Sequence, residues 1–397
     1  MRVAFIEQET QLGGVEYTTL RVAHALNKTK FEPLIICPDD GDLPSLASKA
    51  GLRVQIVHRP KFTSVSLFLG KRYFANPLGF VITTINVLRA ANTLFKYLKS
   101  NPADIVISKG LLAHFYGGLA ACQANIPCIW YIQEEVDKKR AAGLFRAILG
   151  YGAKRIPSRI IVDAQALLYQ FDGLGIQRDD IEVIYNGVDT QEFVQFSLQE
   201  NRDTKQLYNI PNDALVIGQV GRIIPLKGQS TLLEAFAKIA VVFPDVHLLF
   251  VGAPLFGSRD YEQSLRSKVE QYGLDGRVHF SGFIPDVRQG LAALDIFVHA
   301  SIETDSPVSV IEAMSCGLPV IVSKVRGTVE LVVPESDALV FPPGDSRTLA
   351  AILAKCIRDR DLRSKMGSQA RMSVIQKFSL QASVAKLESL IEEVYAA

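Results

Sequence analysis

The chain has 397 residues, more than one ordinary hydrophobic core needs, and we therefore expect two domains. Its 43 Lys and Arg residues nearly balance its 41 Asp and Glu residues. The resulting net charge of +2 excludes the strongly basic composition of nucleic-acid-binding proteins, and we expect no nucleic-acid partner.

The cysteines and the hydropathy pattern indicate the compartment. Five scattered cysteines without a Cys-x-x-Cys pair predict reduced thiols in a cytosolic protein: Cys37, Cys122, Cys128, Cys316 and Cys356. The first residues predict a strand, and we expect no signal peptide. No stretch has the ~18 uncharged apolar residues of a membrane-spanning helix. We therefore expect a cytoplasmic protein, at most peripheral to a membrane.

The first half of the chain alternates apolar strands with helical stretches. A strand from Val3 to Ile6 precedes a loop with Gly13 and Gly14, and a helix is predicted from Tyr17 to Leu26. Adjacent glycines let backbone approach a ligand beside a helix N-terminus, but they also form ordinary tight turns. Gln133 follows the fifth strand, at an edge where ligands bind in parallel sheets. The later strands predict a doubly wound sheet: Leu34 to Cys37, Val54 to Val57, Ile105 to Ile107, Cys128 to Ile132, Ile160 to Val162 and Ile181 to Ile184.

A basic region separates the third and fourth strands. Residues 43 to 103 contain nine Lys or Arg and no Asp or Glu. Lys71 and Arg72 lie there among aromatic and aliphatic residues, which favours a surface that contacts anionic lipid or a charged acceptor. The next apolar residues have helical spacing and predict a core helix that packs on the sheet: Ile82, Ile85, Leu88, Ala91, Leu94, Phe95 and Leu98.

The second half repeats the strand and helix alternation after a polar stretch from residue 191 to 212. Its first strand, Ala214 to Gln219, leads into a loop with Gly221, Arg222 and Lys227. Two cations at one strand end suit a diphosphate, because Arg can bind it with two hydrogen bonds and Lys as a point charge. Two solvated surface cations would have the same pattern. The later strands are Leu248 to Gly252, Val278 to Phe283, Ile296 to His299 and Val320 to Val322.

The stretch from Ser301 to Val322 places two carboxylates around a helix start. Glu303 lies in a loop, and Glu312 lies on the short helix predicted after Pro307. Amides at the helix start and the helix dipole favour an anion, and Glu312 is placed to accept hydrogen bonds from two sugar hydroxyls. An acidic residue that only stabilises its helix would have the same pattern.

Together these motifs resemble the retaining glycosyltransferases of family 4, of the "glycosyl transferases group 1" type, over nearly the whole chain. The motifs are Gly13-Gly14-Val15-Glu16, Asn186-Gly187-Val188-Asp189, Gly221-Arg222 with Lys227-Gly228, Phe280-Ser281-Gly282, and Glu303 with Glu312-Ala313-Met314 through Gly317-Leu318-Pro319-Val320. The resemblance implies the GT-B fold, an α/β fold of two Rossmann-like doubly wound domains that face a central cleft. It implies domains of residues 1–190 with 378–397 and of residues 191–377, since the last helix crosses back in that family.

The resemblance also implies a role for each motif. Arg222 and Lys227 would hold the diphosphate, beside Gly221. Glu312 would hold the ribose, and Glu303 with the amides near Val308 and Ser309 would hold the sugar. Phe283 and Ile284 would flank the base, and Gly14 would approach the phosphates or the acceptor. The catalytic candidates are Arg222, Lys227 and Glu303, and the acceptor-side candidates are Gln133, Lys71 and Arg72.

The sequence departs from the family pattern at two places. The family spaces its two glutamates eight residues apart, whereas Glu303 and Glu312 are nine residues apart. Either the loop carries one extra residue, or Thr304 occupies the position of the family's first glutamate. A histidine that many members carry after the fifth strand is Gln133 here, which can hydrogen-bond but carries no charge. We read Asp40-Gly41-Asp42 as a turn and predict no metal site.

We therefore expect an enzyme that transfers a hexose-type sugar, with retention, in glycan, polysaccharide or glycolipid synthesis. The donor would be a UDP- or GDP-type sugar, and the acceptor a sugar, lipid-linked or small-molecule hydroxyl. No cofactor or metal is expected, and the basic region would place the enzyme at the inner face of an anionic membrane. The alternatives are a non-catalytic nucleotide-sugar-binding subunit of a transferase complex and a GT-B-fold nucleotide-sugar epimerase.

Overall fold

The computed structural model describes residues 1–69, 72–133, 142–254, 259–304 and 306–397. The chain divides into two compact units. The N-terminal unit comprises Met1–Asn186 and Leu380–Ala397, and the C-terminal unit comprises Gly187–Ser379.

The N-terminal unit is built on a parallel sheet. The strands of this unit are β1 (Arg2–Glu7), β2 (Glu32–Cys37), β3 (Arg53–Ile56), β4 (Ser66–Leu69), β5 (Arg72–Ala75), β6 (Ile105–Lys109), β7 (Cys128–Ile132), β8 (Arg159–Val162) and β9 (Ile181–Val183). Among the described residues the sheet order is β3-β2-β1-β6-β7-β8-β9, with every pair parallel. β4 and β5 pair separately as an antiparallel hairpin, which the sequence did not predict. Strands β6 and β7 are buried at every position, as in a parallel sheet with both faces covered.

The C-terminal unit repeats this plan. Its strands are β10 (Leu215–Val220), β11 (Val246–Val251), β12 (Val278–Phe280), β13 (Ile296–His299), β14 (Val320–Ser323) and β15 (Ala338–Phe341). They form a parallel sheet in the order β12-β11-β10-β13-β14-β15. The strand predicted to reach Phe283 ends at Phe280, because Gly282 adopts a φ of +69° that does not fit a strand.

Helices cover the two sheets. They are α1 (Gly14–Ala25), α2 (Asp42–Lys49), α3 (Pro77–Ser100), α4 (Leu111–Gln123), α5 (Ala142–Ala153), α6 (Leu198–Leu207), α7 (Gln229–Ala240), α8 (Arg259–Gln271), α9 (Val287–Ala292), α10 (Val308–Ser315), α11 (Ser346–Arg358), α12 (Arg360–Lys377) and α13 (Leu380–Ala396). The predicted start of the first helix at Tyr17 was wrong, because Gly14 already lies in α1. Glu16 Oε2 accepts a hydrogen bond of 2.9 Å from the amide of Gly13, which stabilises this earlier start.

α3 differs from the core helix that its periodicity predicted. Its buried residues are Gly79, Thr83, Val87, Ala90, Ala91, Leu94 and Leu98, of which the last five pack in the core of the sheet. Two residues predicted to face that core are exposed, Ile85 to 44% and Leu88 to 56%. The prediction was wrong at these positions because α3 is apolar on more than one face. By length and composition α3 could cross a membrane, which the sequence did not predict, although core helices pass the same test.

The last helix returns to the N-terminal unit. Leu387 and Ile391 of α13 are buried against Val3 and Phe5 of β1 and Val22 of α1. The end of the chain therefore completes the core of the part in which the chain begins. The predicted α/β class, with two doubly wound sheets and a returning C-terminal helix, is confirmed.

Candidate active site

Both sheets have a topological switch point, where consecutive connections leave in opposite directions along the sheet. In the C-terminal unit it lies between β10 and β13, and in the N-terminal unit between β1 and β6. Ligands of doubly wound sheets bind at the carboxyl ends of the strands beside such points. A ligand site is therefore expected in the loops that follow these four strands.

The loop after β10 carries two of the predicted cations. Arg222 is exposed and Lys227 is half-buried. Pro225–Lys227 forms a single 3-10 turn, and Gly228 follows with a φ of +68°. A Cβ atom at Gly228 would lie 1.9 Å from the carbonyl oxygen of Ala300, so only glycine lets this loop approach the residues that follow β13 so closely.

Two glutamines, which the sequence did not predict as site residues, hold this loop. Gln219 Nε2 donates a hydrogen bond of 2.6 Å to the carbonyl of Lys227, and Gln229 Nε2 donates one of 2.8 Å to the carbonyl of Arg222. Both glutamines are 1% exposed. A polar residue in the apolar strand Leu215–Val220 is the signal that could have identified the first of them.

The loop after β13 is tied directly to the loop after β10. The carbonyl of Leu226 accepts hydrogen bonds from the amide of Ile302, at 2.9 Å, and from Ser301 Oγ, at 3.0 Å. Glu303 comes next and is exposed, and Thr304 is half-buried. The structure therefore brings the predicted cation loop and the predicted glutamate loop together.

α10 follows this loop. Val308 and Ser309 are half-buried in its first turn, and Glu312 is buried, with 6% of its surface exposed. A carboxylate is rarely so buried without partners, and Glu312 has electrostatic or hydrogen-bond partners in the structure. Glu312 thus differs in burial from Glu303, which is exposed.

The predicted base-binding residues lie after β12. Phe283 is 59% exposed, and Ile284 is half-buried. The preceding Gly282 pairs with Gly252 at the end of β11, which keeps this segment beside the carboxyl edge of the sheet. A large exposed aromatic side chain at that edge can stack on a planar group.

The switch point of the N-terminal unit holds its charges inside the protein. The carboxylate of Glu7, at the end of β1, accepts a hydrogen bond of 2.7 Å from Thr19 Oγ1. The same hydroxyl accepts a hydrogen bond of 2.6 Å from Lys109 Nζ, at the end of β6. Burial raises the pKa of Glu7 to about 7, against the opposing effects of Lys109 and Thr19. Burial also lowers the pKa of Lys109, and both side chains are 1% exposed.

Gly14 lies at the exposed start of α1, and the same Lys109 fixes that start. Lys109 Nζ donates a hydrogen bond of 3.2 Å to the carbonyl of Val15, in the first turn of the helix. A Cβ atom at Gly14 would meet no other atom within 4 Å, so there is open space beside this residue. The geometry leaves room there for a ligand to approach the backbone.

Gln133 belongs to a polar cluster at the ends of β7 and β8. Its Nε2 atom lies 3.1 Å from Asn186 Oδ1 and 3.4 Å from Asp163 Oδ2, which also accepts a hydrogen bond of 2.8 Å from Asn186 Nδ2. Burial raises the pKa of Asp163 to about 7, while the hydrogen bonds from Asn186 and Gln133 act in the opposite direction. The sequence predicted Gln133 as a site residue but not Asp163.

Two acceptor-side candidates remain. Lys71 lies outside the described residues, and Arg72 is the first residue of β5. Among the described residues, no three His, Cys, Asp or Glu side chains converge as metal ligands would.

Two family models match the chain. "Glycosyltransferase Family 4" matches residues 12–192, and "Glycosyl transferases group 1" matches residues 200–373. The chain belongs to the family 4, group 1 glycosyltransferases. This family 4 glycosyltransferase has the predicted GT-B fold, and the predicted family, nucleotide-sugar binding and glycosyltransferase activity are confirmed.

Curated relatives and solved structures cover nearly all of this family 4 glycosyltransferase. It is 24% identical, over 98% of its length and 96% of the relative's, to the UDP-Gal:alpha-D-GlcNAc-diphosphoundecaprenol alpha-1,3-galactosyltransferase of Escherichia coli. It is 27% identical, over 95% and 94%, to the N,N'-diacetylbacillosaminyl-diphospho-undecaprenol alpha-1,3-N-acetylgalactosaminyltransferase of Campylobacter jejuni. HepE of Anabaena, solved in complex with UDP and glucose, has a TM-score of 0.83 at 25% identity, covering 98% of this chain and 99% of HepE.

Proposed function

We propose that this family 4 glycosyltransferase moves a hexose-type sugar from a nucleoside diphosphate sugar to a hydroxyl acceptor, with retention of the anomeric configuration. The observation that carries the proposal is the pair of linked loops at the switch point of the C-terminal unit. One loop carries Arg222 and Lys227, and the other, bonded to it through Leu226, carries Glu303. Cations for a diphosphate and a carboxylate for sugar hydroxyls are thus built into neighbouring loops.

The cations would act on the leaving group. When the bond between the sugar C1 and the diphosphate oxygen breaks, the electron pair stays on the diphosphate and its negative charge grows. Arg222, Lys227 and the amides near Val308 and Ser309 would stabilise that charge without a metal. Because the protein holds these groups in place before the reaction, little reorganisation is needed when the charge develops.

The carboxylates would hold the donor through its hydroxyls. The buried Glu312 is suited to the ribose, because a carboxylate can accept hydrogen bonds from two neighbouring hydroxyls. The exposed Glu303, with Thr304 as the alternative, is suited to the transferred sugar. Phe283 and Ile284 would flank the base, and Gly14 would let the phosphates or the acceptor approach the backbone.

Retention follows if the acceptor attacks on the face from which the diphosphate departs. The acceptor O–H proton then goes to a leaving diphosphate oxygen as the new bond to C1 forms. No separate protein base is needed, in contrast to the paired carboxylates of glycosidases. We assign Gln133 to the acceptor side as a hydrogen-bonding residue.

The relatives narrow the substrates that we propose. HepE was solved with UDP and glucose and with UDP-glucose, and the name of the E. coli relative specifies UDP-Gal. The names of the two bacterial relatives specify acceptors linked to diphosphoundecaprenol. We therefore propose a UDP-linked donor and a lipid-linked acceptor, in polysaccharide or glycolipid synthesis.

A lipid-linked acceptor would require contact with a membrane, and α3 offers a surface for it. Leu78, Val81, Ile85 and Leu88 are 44% to 70% exposed and share one helix face by their spacing of three and four residues. The surrounding region from residue 43 to 103 contains no acidic residue and nine cations, one of which is the exposed Arg89. We propose that this face contacts an anionic membrane at its cytoplasmic side.

Transfer assays with the purified chain test the proposed function. UDP-galactose, UDP-glucose and UDP-N-acetylglucosamine are each supplied with a synthetic polyprenyl diphosphate-linked sugar, with and without EDTA. We expect UDP release and an α-linked product by NMR that EDTA does not abolish. Lys227→Ala and Glu312→Ala should each lower the rate by about 100-fold or more, whereas the matched Lys386→Ala, exposed on α13, should not.

Two outcomes would favour the alternatives. Conversion of the donor to its epimer without acceptor would indicate an epimerase. Nucleotide binding without turnover of any of the three donors would indicate a non-catalytic subunit.

A further inference from the structure

Two buried glutamines lie at opposite ends of the cation loop. Gln219 is the last residue but one of β10, before the loop, and Gln229 is the first residue of α7, after it. Their hydrogen bonds cross over the loop. Gln219, on the strand side, holds the carbonyl of Lys227 at 2.6 Å, and Gln229, on the helix side, holds the carbonyl of Arg222 at 2.8 Å. Each bond therefore ends on the backbone of a proposed diphosphate ligand.

The two side chains are used only as donors. The Oε1 atoms of Gln219 and Gln229 are both buried and have no hydrogen-bond partner among the described residues. An unsatisfied buried oxygen costs about 1–3 kcal/mol, which an apolar side chain of the same size would avoid. Packing alone therefore does not explain two glutamines at these positions.

A neutral donor has an advantage beside an anion site. A Lys or Arg at either position would add a buried charge without a counterion, and Asp or Glu would repel the diphosphate. The amide fixes the backbone and leaves the local charge to Arg222 and Lys227. Placement matters here because the stabilisation of developing charge depends on donors that are fixed before the reaction.

We propose that Gln219 and Gln229 are positioning residues of the nucleotide-sugar site. Gln229 acts through Arg222, and Gln219 acts through Lys227. This inference rests on the proposed function, because it takes the two cations to be ligands of the donor diphosphate.

A double-mutant cycle tests the two pairings separately. The affinities for UDP and GDP are measured by calorimetry for Gln219→Met and Gln229→Met, alone and combined with Arg222→Ala or Lys227→Ala. Each Met variant should weaken the binding of the preferred nucleotide by about fivefold, the value of one hydrogen bond. Gln229→Met should have less than a twofold effect when Arg222 is already Ala, and its full effect when Lys227 is Ala. Gln219→Met should show the reverse pattern.

Controls separate positioning from folding. Gln271→Met, exposed at the end of α8, should leave affinity unchanged, and thermal melts show that each variant is folded. If a Met variant does not fold, the Leu variant takes its place in the cycle. A glutamine variant that loses the same affinity in both backgrounds would show a general structural role and would overturn this inference alone. Unchanged affinity in both Arg222→Ala and Lys227→Ala would instead overturn the proposed function, and this inference with it.

Discussion

The two sheets have the same strand order around their switch points, but they place charged side chains in opposite environments. In the N-terminal unit, Glu7 and Lys109 are the last residues of the neighbouring strands β1 and β6, are 1% exposed and bond to the same hydroxyl of Thr19. In the C-terminal unit, Arg222 is exposed and Lys227 half-buried, and neutral amides hold the loop between them. One edge buries its ions within the fold, and the other leaves Arg222 exposed and Lys227 partly exposed.

This difference separates two uses of a charged residue. A buried pair fixes the start of α1, and its loss leaves one charge without compensation in the protein interior. A charge that is exposed to solvent contributes little to folding, even when it is paired. Charge in the N-terminal unit should therefore affect stability and pH dependence, whereas charge in the C-terminal unit should affect nucleotide affinity.

The largest effect should separate Lys109→Met from Lys227→Met. Lys109→Met leaves the buried Glu7 without its partner and should lower the free energy of unfolding by about 3 kcal/mol at pH 8. Lys227→Met should change stability by about 1 kcal/mol or less and weaken nucleotide binding instead. The one tryptophan, Trp130, is fully buried in the N-terminal unit, so its fluorescence during denaturation by urea reports on that unit. Far-UV circular dichroism in the same titration reports on both units, including the one that contains Lys227.

The double variant Lys109→Met with Glu7→Gln is the control. It removes both charges and should recover much of the lost stability. Equal losses of stability in Lys109→Met and Lys227→Met would show that the two edges do not differ in the way described.

A smaller effect should appear in the pH dependence of the N-terminal unit. The unfolded Asp163 loses its proton near pH 4, whereas the folded one keeps it to about pH 7. Between these values the folded state binds the extra proton, so the free energy of unfolding falls as pH rises. Asp163→Asn removes this titration. Between pH 5 and pH 7.5, the free energy of unfolding of Asp163→Asn should therefore rise by about 2 kcal/mol relative to that of the unchanged chain. The same Trp130 fluorescence during denaturation by urea measures this difference.

Glu7 has a raised pKa as well, so the Asp163→Asn variant should retain a weaker dependence of the same sign. Parallel pH profiles for the variant and the unchanged chain would contradict the assignment to Asp163.

The smallest effect concerns the surfaces of the two units. Leu88, on the exposed face of α3, and Leu207, on α6 of the C-terminal unit, are 56% and 67% exposed. Leu88→Ser should weaken binding to phosphatidylglycerol vesicles by about fivefold, since partial burial of one leucine contributes about 1 kcal/mol. Leu207→Ser is the matched control and should bind as the unchanged chain does. Equal binding by both variants in a sedimentation assay would rule out the α3 face as the contact.

The sequence predicted the features that depend on local pattern. Apolar runs identified most strands, and the spacing of Gly221, Arg222 and Lys227 identified the cation loop. The roles of Gln219 and Lys109 depend on which carbonyl or hydroxyl a folded neighbour brings within 3 Å, and no local pattern contains that information. The buried face of α3 was misassigned because several faces of that helix are apolar and periodicity alone does not choose between them.

The return of α13 has a consequence for the order of synthesis. Leu387 and Ile391 complete the core around β1, but they leave the ribosome only after the whole C-terminal unit. The C-terminal unit, by contrast, is contiguous and can fold as soon as its own residues have emerged. The N-terminal unit therefore waits with an uncovered apolar face until α13 has emerged, and a stop before residue 380 would leave that face open to chaperones and proteases.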